Sequence, residues 1–123
     1  MSAQRILIIE DEENIRQTMQ VALETDGYDV ETAADGPEGL YRFRQPGRWS
    51  LVLLDQRMPG MQGLEVLREL KAVDPAVPVI LITAYGTLEL SAEVLRSGAS
   101  GFLRKPFIPA ELREVVRETL ARR

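Results

Sequence analysis

Short apolar runs alternate along this chain with longer stretches in which apolar residues recur every three or four positions. The first run, Ile6-Leu7-Ile8-Ile9, is β-branched and apolar on both faces, which suits a strand covered by helices on both sides. A helical pattern follows from about Glu12 to Thr25, striped by Ile15, Met19, Ala22 and Leu23 and stopped by Asp26-Gly27. Residues Tyr28 to Thr32 alternate apolar and polar, as an exposed edge strand does. Asp35-Gly36-Pro37 leads into a short helix ending near Arg44, with proline in the first turn, before Pro46-Gly47 breaks the chain. Leu51 to Leu54 is a second fully apolar run, and it ends on Asp55. After a loop containing Pro59-Gly60, a helix from Gly63 to Val73 carries Leu64, Leu67 and Leu70 on one face. Val79 to Ile82 is a third buried strand. Thr83 to Gly86 forms a loop before a fourth helix that ends near Ser97 and is closed by Gly98. Gly101 to Arg104 makes a fifth strand ending at Lys105-Pro106. The fifth helix begins near Pro109 and is striped by Leu112, Val115, Val116 and Leu120.

Five strand–helix units predict an α/β fold: a doubly wound, five-stranded parallel sheet with helices on both faces, joined by right-handed crossovers. Ligands of such sheets bind outside the carboxyl ends of the strands, at the point where the strand order reverses. The residues just past each apolar run are therefore the candidates for chemistry. After the first strand come Glu10, Asp11, Glu12 and Glu13; after the third, Asp55; after the fourth, Thr83; after the fifth, Lys105. Crowded carboxylates repel one another, and a divalent cation removes that cost. Oxygen ligands suit Mg2+, which takes one or two carboxylates and completes its shell with water or phosphate oxygens. One carboxylate could then attack phosphorus, with Lys105 and the cation neutralising charge and the Thr83 hydroxyl donating a hydrogen bond. Each residue also has an ordinary explanation. Asp11 could cap the first helix, and Glu12 and Glu13 suit its positive end. Asp55 could be a turn residue, Thr83 a strand end, and Lys105 a solvated lysine. Their common placement on one edge is what these separate explanations leave unexplained.

Composition narrows the choice. The 123 residues fit one domain, spanning 1–123, and 45% of them are apolar, enough for a core. The chain contains neither cysteine nor histidine, which excludes disulfides, thiolate or imidazole metal sites and imidazole catalysis. A net charge of −4 gives no basic footprint for nucleic acid. No apolar run reaches the length of a membrane span and the first residues do not resemble a signal peptide, so a cytoplasmic protein with no membrane partner is expected.

Four segments in order carry a family signature: residues 6–12 (Ile-Leu-Ile-Ile-Glu-Asp-Glu), 53–63 (Leu-Leu-Asp-Gln-Arg-Met-Pro-Gly-Met-Gln-Gly), 79–84 (Val-Ile-Leu-Ile-Thr-Ala) and 102–107 (Phe-Leu-Arg-Lys-Pro-Phe). The chain resembles the receiver domain of two-component response regulators from Arg5 to Leu120, and most resembles receivers of the nitrogen-regulator type. The resemblance implies a flavodoxin-like sheet of strand order 2-1-3-4-5. It implies that Asp55 accepts a phosphoryl group from a sensor histidine kinase, and that Glu10, Asp11, Asp55 and the Arg57 carbonyl hold Mg2+. Thr83 would follow the phosphoryl group, Lys105 would grip it across a cis Lys105–Pro106 bond, and Phe102 would be the switch aromatic. Glu10 stands where aspartate is commoner, and Phe102 where tyrosine is. The surface formed by the fourth helix, fifth strand and fifth helix would bind an output domain, an output protein or a second copy of the chain. Leu90 and Val94, an apolar pair off the inward stripe of Leu88, Ala92 and Leu95, are candidates for that contact. Arg57 and Tyr85 would flank the phosphoryl group and slow its loss to water.

Two rival chemistries fit less well. A haloacid-dehalogenase phosphatase also phosphorylates an aspartate, but needs a second acid two residues on, where this chain has Arg57. A flavodoxin needs a phosphate-welcoming loop after the first strand, where this chain has four acids. A degenerate receiver that only binds partners is the third alternative.

Overall fold

Apolar runs with two buried faces require cover from both sides, and the chain provides it by alternation. The computed structural model describes residues 3–57, 60–84 and 96–122. Strands β1 (Arg5–Ile9), β2 (Asp29–Ala33), β3 (Leu51–Asp55), β4 (Val79–Thr83) and β5 (Gly101–Arg104) form one parallel sheet in the order β2-β1-β3-β4-β5. Helices α1 (Glu13–Thr25), α2 (Gly36–Phe43), α3 (Gly63–Val73) and a C-terminal helix (Pro109–Ala121) cover it. The parallel order 2-1-3-4-5 is the expected one. Residues 85–95 lie outside the described set, and with them Tyr85 of the predicted loop and Leu88, Leu90, Ala92, Val94 and Leu95 of the fourth predicted helix.

The two-residue period of a strand divides the core in two. Leu7, Ile9, Val52, Leu54, Val79 and Leu81 face α2 and α3, where they meet Leu40, Phe43, Val66, Leu67 and Leu70. Ile6, Ile8, Leu51, Leu53, Ile80 and Ile82 face the other way, onto Met19 and Leu23 of α1 and Leu112 and Val116 of the C-terminal helix. Burying each such side chain contributes about 1.5–3 kcal/mol relative to leaving it in water. β3 and β4 are buried throughout, whereas β2 and β5 are only partly buried, as sheet edges are.

Local signals set the helix ends. The Asp35 carboxylate accepts a hydrogen bond from the Glu38 N–H at 2.8 Å and caps α2, which has proline in its first turn. Gly27 ends α1 with φ 89°, a left-handed conformation costly for any side chain. The β1–β2 edge carries an ion-pair chain of Arg5, Glu31, Arg42 and Glu38. Trp49 sits beneath it, buried, with the Arg5 guanidinium 4.1 Å from its ring centre and Phe43 stacked alongside.

Candidate phosphoacceptor site

Parallel strands point their carboxyl ends in one direction, so the residues that follow or end β1, β3, β4 and β5 gather on one edge. Asp55 is the last residue of β3 and pairs in register with Ile82, while Thr83 pairs with Arg104. The Lys105 N–H donates to the Thr83 carbonyl at 2.7 Å, which carries the β5 end onto the same edge. Glu10 leaves β1 with its own N–H bonded to the Ala33 carbonyl of β2 at 3.0 Å.

The side chains converge. The Lys105 ammonium donates to Glu10 Oε1 at 3.2 Å and to Asp55 Oδ2 at 3.3 Å. Glu10 Oε1 also accepts the Glu12 N–H, and Asp55 Oδ1 accepts the Arg57 N–H, both at 3.3 Å. Glu10, Asp55 and Thr83 are buried, whereas Asp11 is exposed at the rim. Glu12 and Glu13 direct their side chains to solvent, and Glu12 contributes only its backbone. Asp11 does not cap α1: the cap position is Glu12, with no side-chain hydrogen bond. The Lys105–Pro106 peptide is cis. Phe102 projects outward from β5 with 38% of its surface exposed.

One ammonium serves two buried carboxylates, and their proton affinities reflect that shortage. Burial, reinforced by the charge of Asp55, pushes the Glu10 carboxyl up to about 7, against the pull of Lys105. Burial also raises Asp55, with Lys105, Glu10 and the Arg57 N–H opposing it. Burial alone would lower Lys105, but the two carboxylates outweigh it and hold the ammonium charged.

The donor set fits a hard divalent cation. Glu10, Asp11 and Asp55 each offer an oxygen within 4.8 Å of the others. Among the described residues Glu10 Oε2 is buried with no hydrogen-bond partner, an acceptor that a cation or its water would satisfy. A contact the linear pattern did not reveal comes from α1. Arg16 Nη1 donates to the carbonyls of Glu10 at 2.9 Å and Asp11 at 3.4 Å.

Residues 6–117 match the family profile of the response regulator receiver domain. The chain belongs to that family. Among curated relatives it is 43% identical over 120 residues to the uncharacterized transcriptional regulatory protein YkoG of Bacillus subtilis, covering 98% of this chain and 52% of that protein. It is 37% identical to sporulation initiation phosphotransferase F of the same organism, covering 98% of this chain and 96% of that one. With the regulatory protein AtoC of Escherichia coli it shares 38% identity over 94% of this chain and 25% of that protein. The receiver thus spans about half the length of YkoG and a quarter of AtoC, but nearly all of the sporulation protein. Among solved structures, chemotaxis protein CheY4 of Vibrio cholerae superposes with a TM-score of 0.91 at 31% identity, covering 96% of this chain and 99% of that one. A CheY-like receiver from Methanospirillum hungatei gives 0.91 at 36% identity, covering 98% and 96%. Membership places the chain in phosphorylation-dependent two-component signalling, as a receiver rather than a classical enzyme. Among the described residues no helix is long and apolar enough to cross a membrane.

Proposed function

We propose that residues 1–123 form a single receiver domain that takes a phosphoryl group from a sensor histidine kinase onto Asp55 and holds it as a signal. The observation that carries this reading is the bridge from Lys105 to Glu10 and Asp55, with a third carboxylate beside it and one buried carboxylate oxygen left over. An Asp55 carboxylate oxygen forms the new P–O bond as the P–N bond of the donor's phosphohistidine breaks, and the departing imidazole nitrogen keeps the electron pair. Glu10, Asp11, Asp55 and the Arg57 carbonyl would hold the cation. When bound, Mg2+ supplies charge neutralisation at the phosphoryl oxygens. Lys105 releases its carboxylate partners and pairs with a phosphoryl oxygen, a charge-assisted hydrogen bond stronger than a neutral one.

The Thr83 hydroxyl then follows the phosphoryl group and Phe102 turns from its exposed position into the space left behind. A local charge event thereby biases a two-state surface. That surface, made by the fourth helix, the fifth strand and the C-terminal helix, meets an output domain, an output protein or a second copy of the chain, with Leu90 and Val94 as contact residues. Arg57 and Tyr85 shield the phosphoryl group from water. The site of action is cytoplasmic, with no direct contact to nucleic acid or membrane. An apolar recess of about 530 Å3 beside Lys105, lined by Asn14, Ile15, Thr18, Ala84, Pro106 and Phe107, gives a donor room to approach.

Incubation with Mg2+ and a small acyl phosphate, followed by intact mass, tests the reading. One added phosphoryl group is expected, absent in Asp55→Asn and absent in chelator. No adduct on the wild-type chain with any donor refutes it.

A further inference from the structure

The loop that presents the acid pair is tied to the sheet on one side and to α1 on the other. Glu10 bonds to the sheet through its N–H, which donates to the Ala33 carbonyl, while its own carbonyl and that of Asp11 accept from Arg16. Helix α1 begins only at Glu13, so neither carbonyl belongs to a helix either. Arg16 collects both from one turn inside α1, with one guanidinium nitrogen shared between them. Glu10 is fully buried with Arg16 in place, so this carbonyl relies on the guanidinium for its partner.

We infer that Arg16 is a positioning residue for the cation site: by tying the Glu10 and Asp11 carbonyls to α1, it sets the backbone from which both carboxylates reach the cation. This rests on the proposed Mg2+-dependent function. Groups that orient metal ligands without touching the metal typically contribute ten- to a hundredfold, roughly, in metal affinity. Positioning and charge predict opposite outcomes here. A positive side chain beside a cation site weakens binding by simple repulsion, so a role through charge alone makes its removal tighten Mg2+ binding. A positioning role makes removal loosen it.

The test measures Mg2+ affinity directly, by calorimetric titration of the full, unphosphorylated chain. Arg16→Gln should bind Mg2+ about tenfold more weakly or worse. Arg16→Lys, which keeps the charge and one donor, should fall between, and it covers the case in which the glutamine variant folds poorly. Saturating Mg2+ should restore acyl-phosphate labelling of Arg16→Gln to near the wild-type rate, so the defect lies in affinity and not in the transfer step. Arg113→Ala is the control: it breaks the paired contacts to Asp26 at 2.6 and 2.8 Å, away from the site, and should leave Mg2+ affinity unchanged. Equal or tighter binding by Arg16→Gln overturns the inference while leaving the proposed function standing. A wild-type chain that binds no Mg2+ overturns both.

Discussion

Replacing Glu10 by glutamine should make the metal-free protein more stable in mild alkali and change nothing in acid. Glu10 is fully buried and its carboxyl is raised from the ordinary 4.5 to about 7. An acid whose folded value lies above its unfolded value keeps a proton in the folded chain that the unfolded chain has released. Stability therefore falls as pH rises from about 4.5, and the loss is complete somewhat above pH 7. At about 1.4 kcal/mol per pH unit, the cost at pH 8.5 is on the order of 3 kcal/mol. Glutamine removes the titration. Its carbonyl can accept from Lys105 and the Glu12 N–H, as Oε1 does, while its amide replaces the unpartnered Oε2. Urea unfolding in chelator, followed by circular dichroism from pH 5 to 8.5, should show two curves that meet near pH 5 and separate by roughly 3 kcal/mol at the alkaline end. Mg2+ should narrow the gap. At a hundredfold excess over its dissociation constant it would stabilise the wild-type chain by about 2.7 kcal/mol, and the variant by less, because a neutral amide is a poorer ligand. Parallel pH curves for the two proteins would refute the idea that Glu10 is a charge held against its burial.

Lys105→Met should leave Glu10 and Asp55 without their shared counter-ion and slow labelling by an acyl phosphate on the order of a hundredfold, the typical effect of losing one charge-stabilising donor; a rate within a few fold of wild type would remove Lys105 from the transfer step. Gly63→Ala adds a methyl that would sit 2.6 Å from the Gln56 Cα and 2.9 Å from the Asp55 carbonyl. Overpacking of this kind costs about 1–3 kcal/mol. Because the clash is with the backbone that carries Asp55, thermal unfolding and the labelling rate should both fall, and a loss confined to either would contradict the geometry.

The strands were legible because each apolar run is bounded by polar residues, but that same contrast hid where they end. Asp55 and Thr83 read as the first loop residues, yet both continue the ladder, in register with Ile82 and Arg104. Backbone pairing does not require an apolar side chain, so hydropathy stops one residue before hydrogen bonding does. The convergence of Glu10, Asp55 and Lys105 was legible for a related reason: parallel topology turns sequence position at a strand end into spatial neighbourhood. Arg16 and Gly63 were not legible as parts of the site. Arg16 acts on backbone carbonyls five and six residues behind it, and the reach of a flexible side chain leaves no periodic trace. Gly63 serves by having no side chain where α3 meets the end of β3, a close approach that only packing reveals. The C-terminal helix shows the same limit. Its apolar stripe predicted Leu112 and Val116 in the core, but Thr119 is buried there too, and a polar residue gives hydropathy no reason to expect it.

The placement of the only tryptophan gives this protein a built-in reporter separate from its phosphoacceptor site. Trp49 lies before the start of β3 and Asp55 at its end, six residues on, roughly 20 Å along an extended strand. Its ring is enclosed by Phe43 and Arg5, far from the phosphoryl chemistry. Intrinsic fluorescence therefore follows loss of the folded core and should stay silent when Mg2+ binds or Asp55 is modified. A change in emission on phosphorylation would carry separate information: that the rearrangement travels the length of the central strand to the opposite end of the sheet.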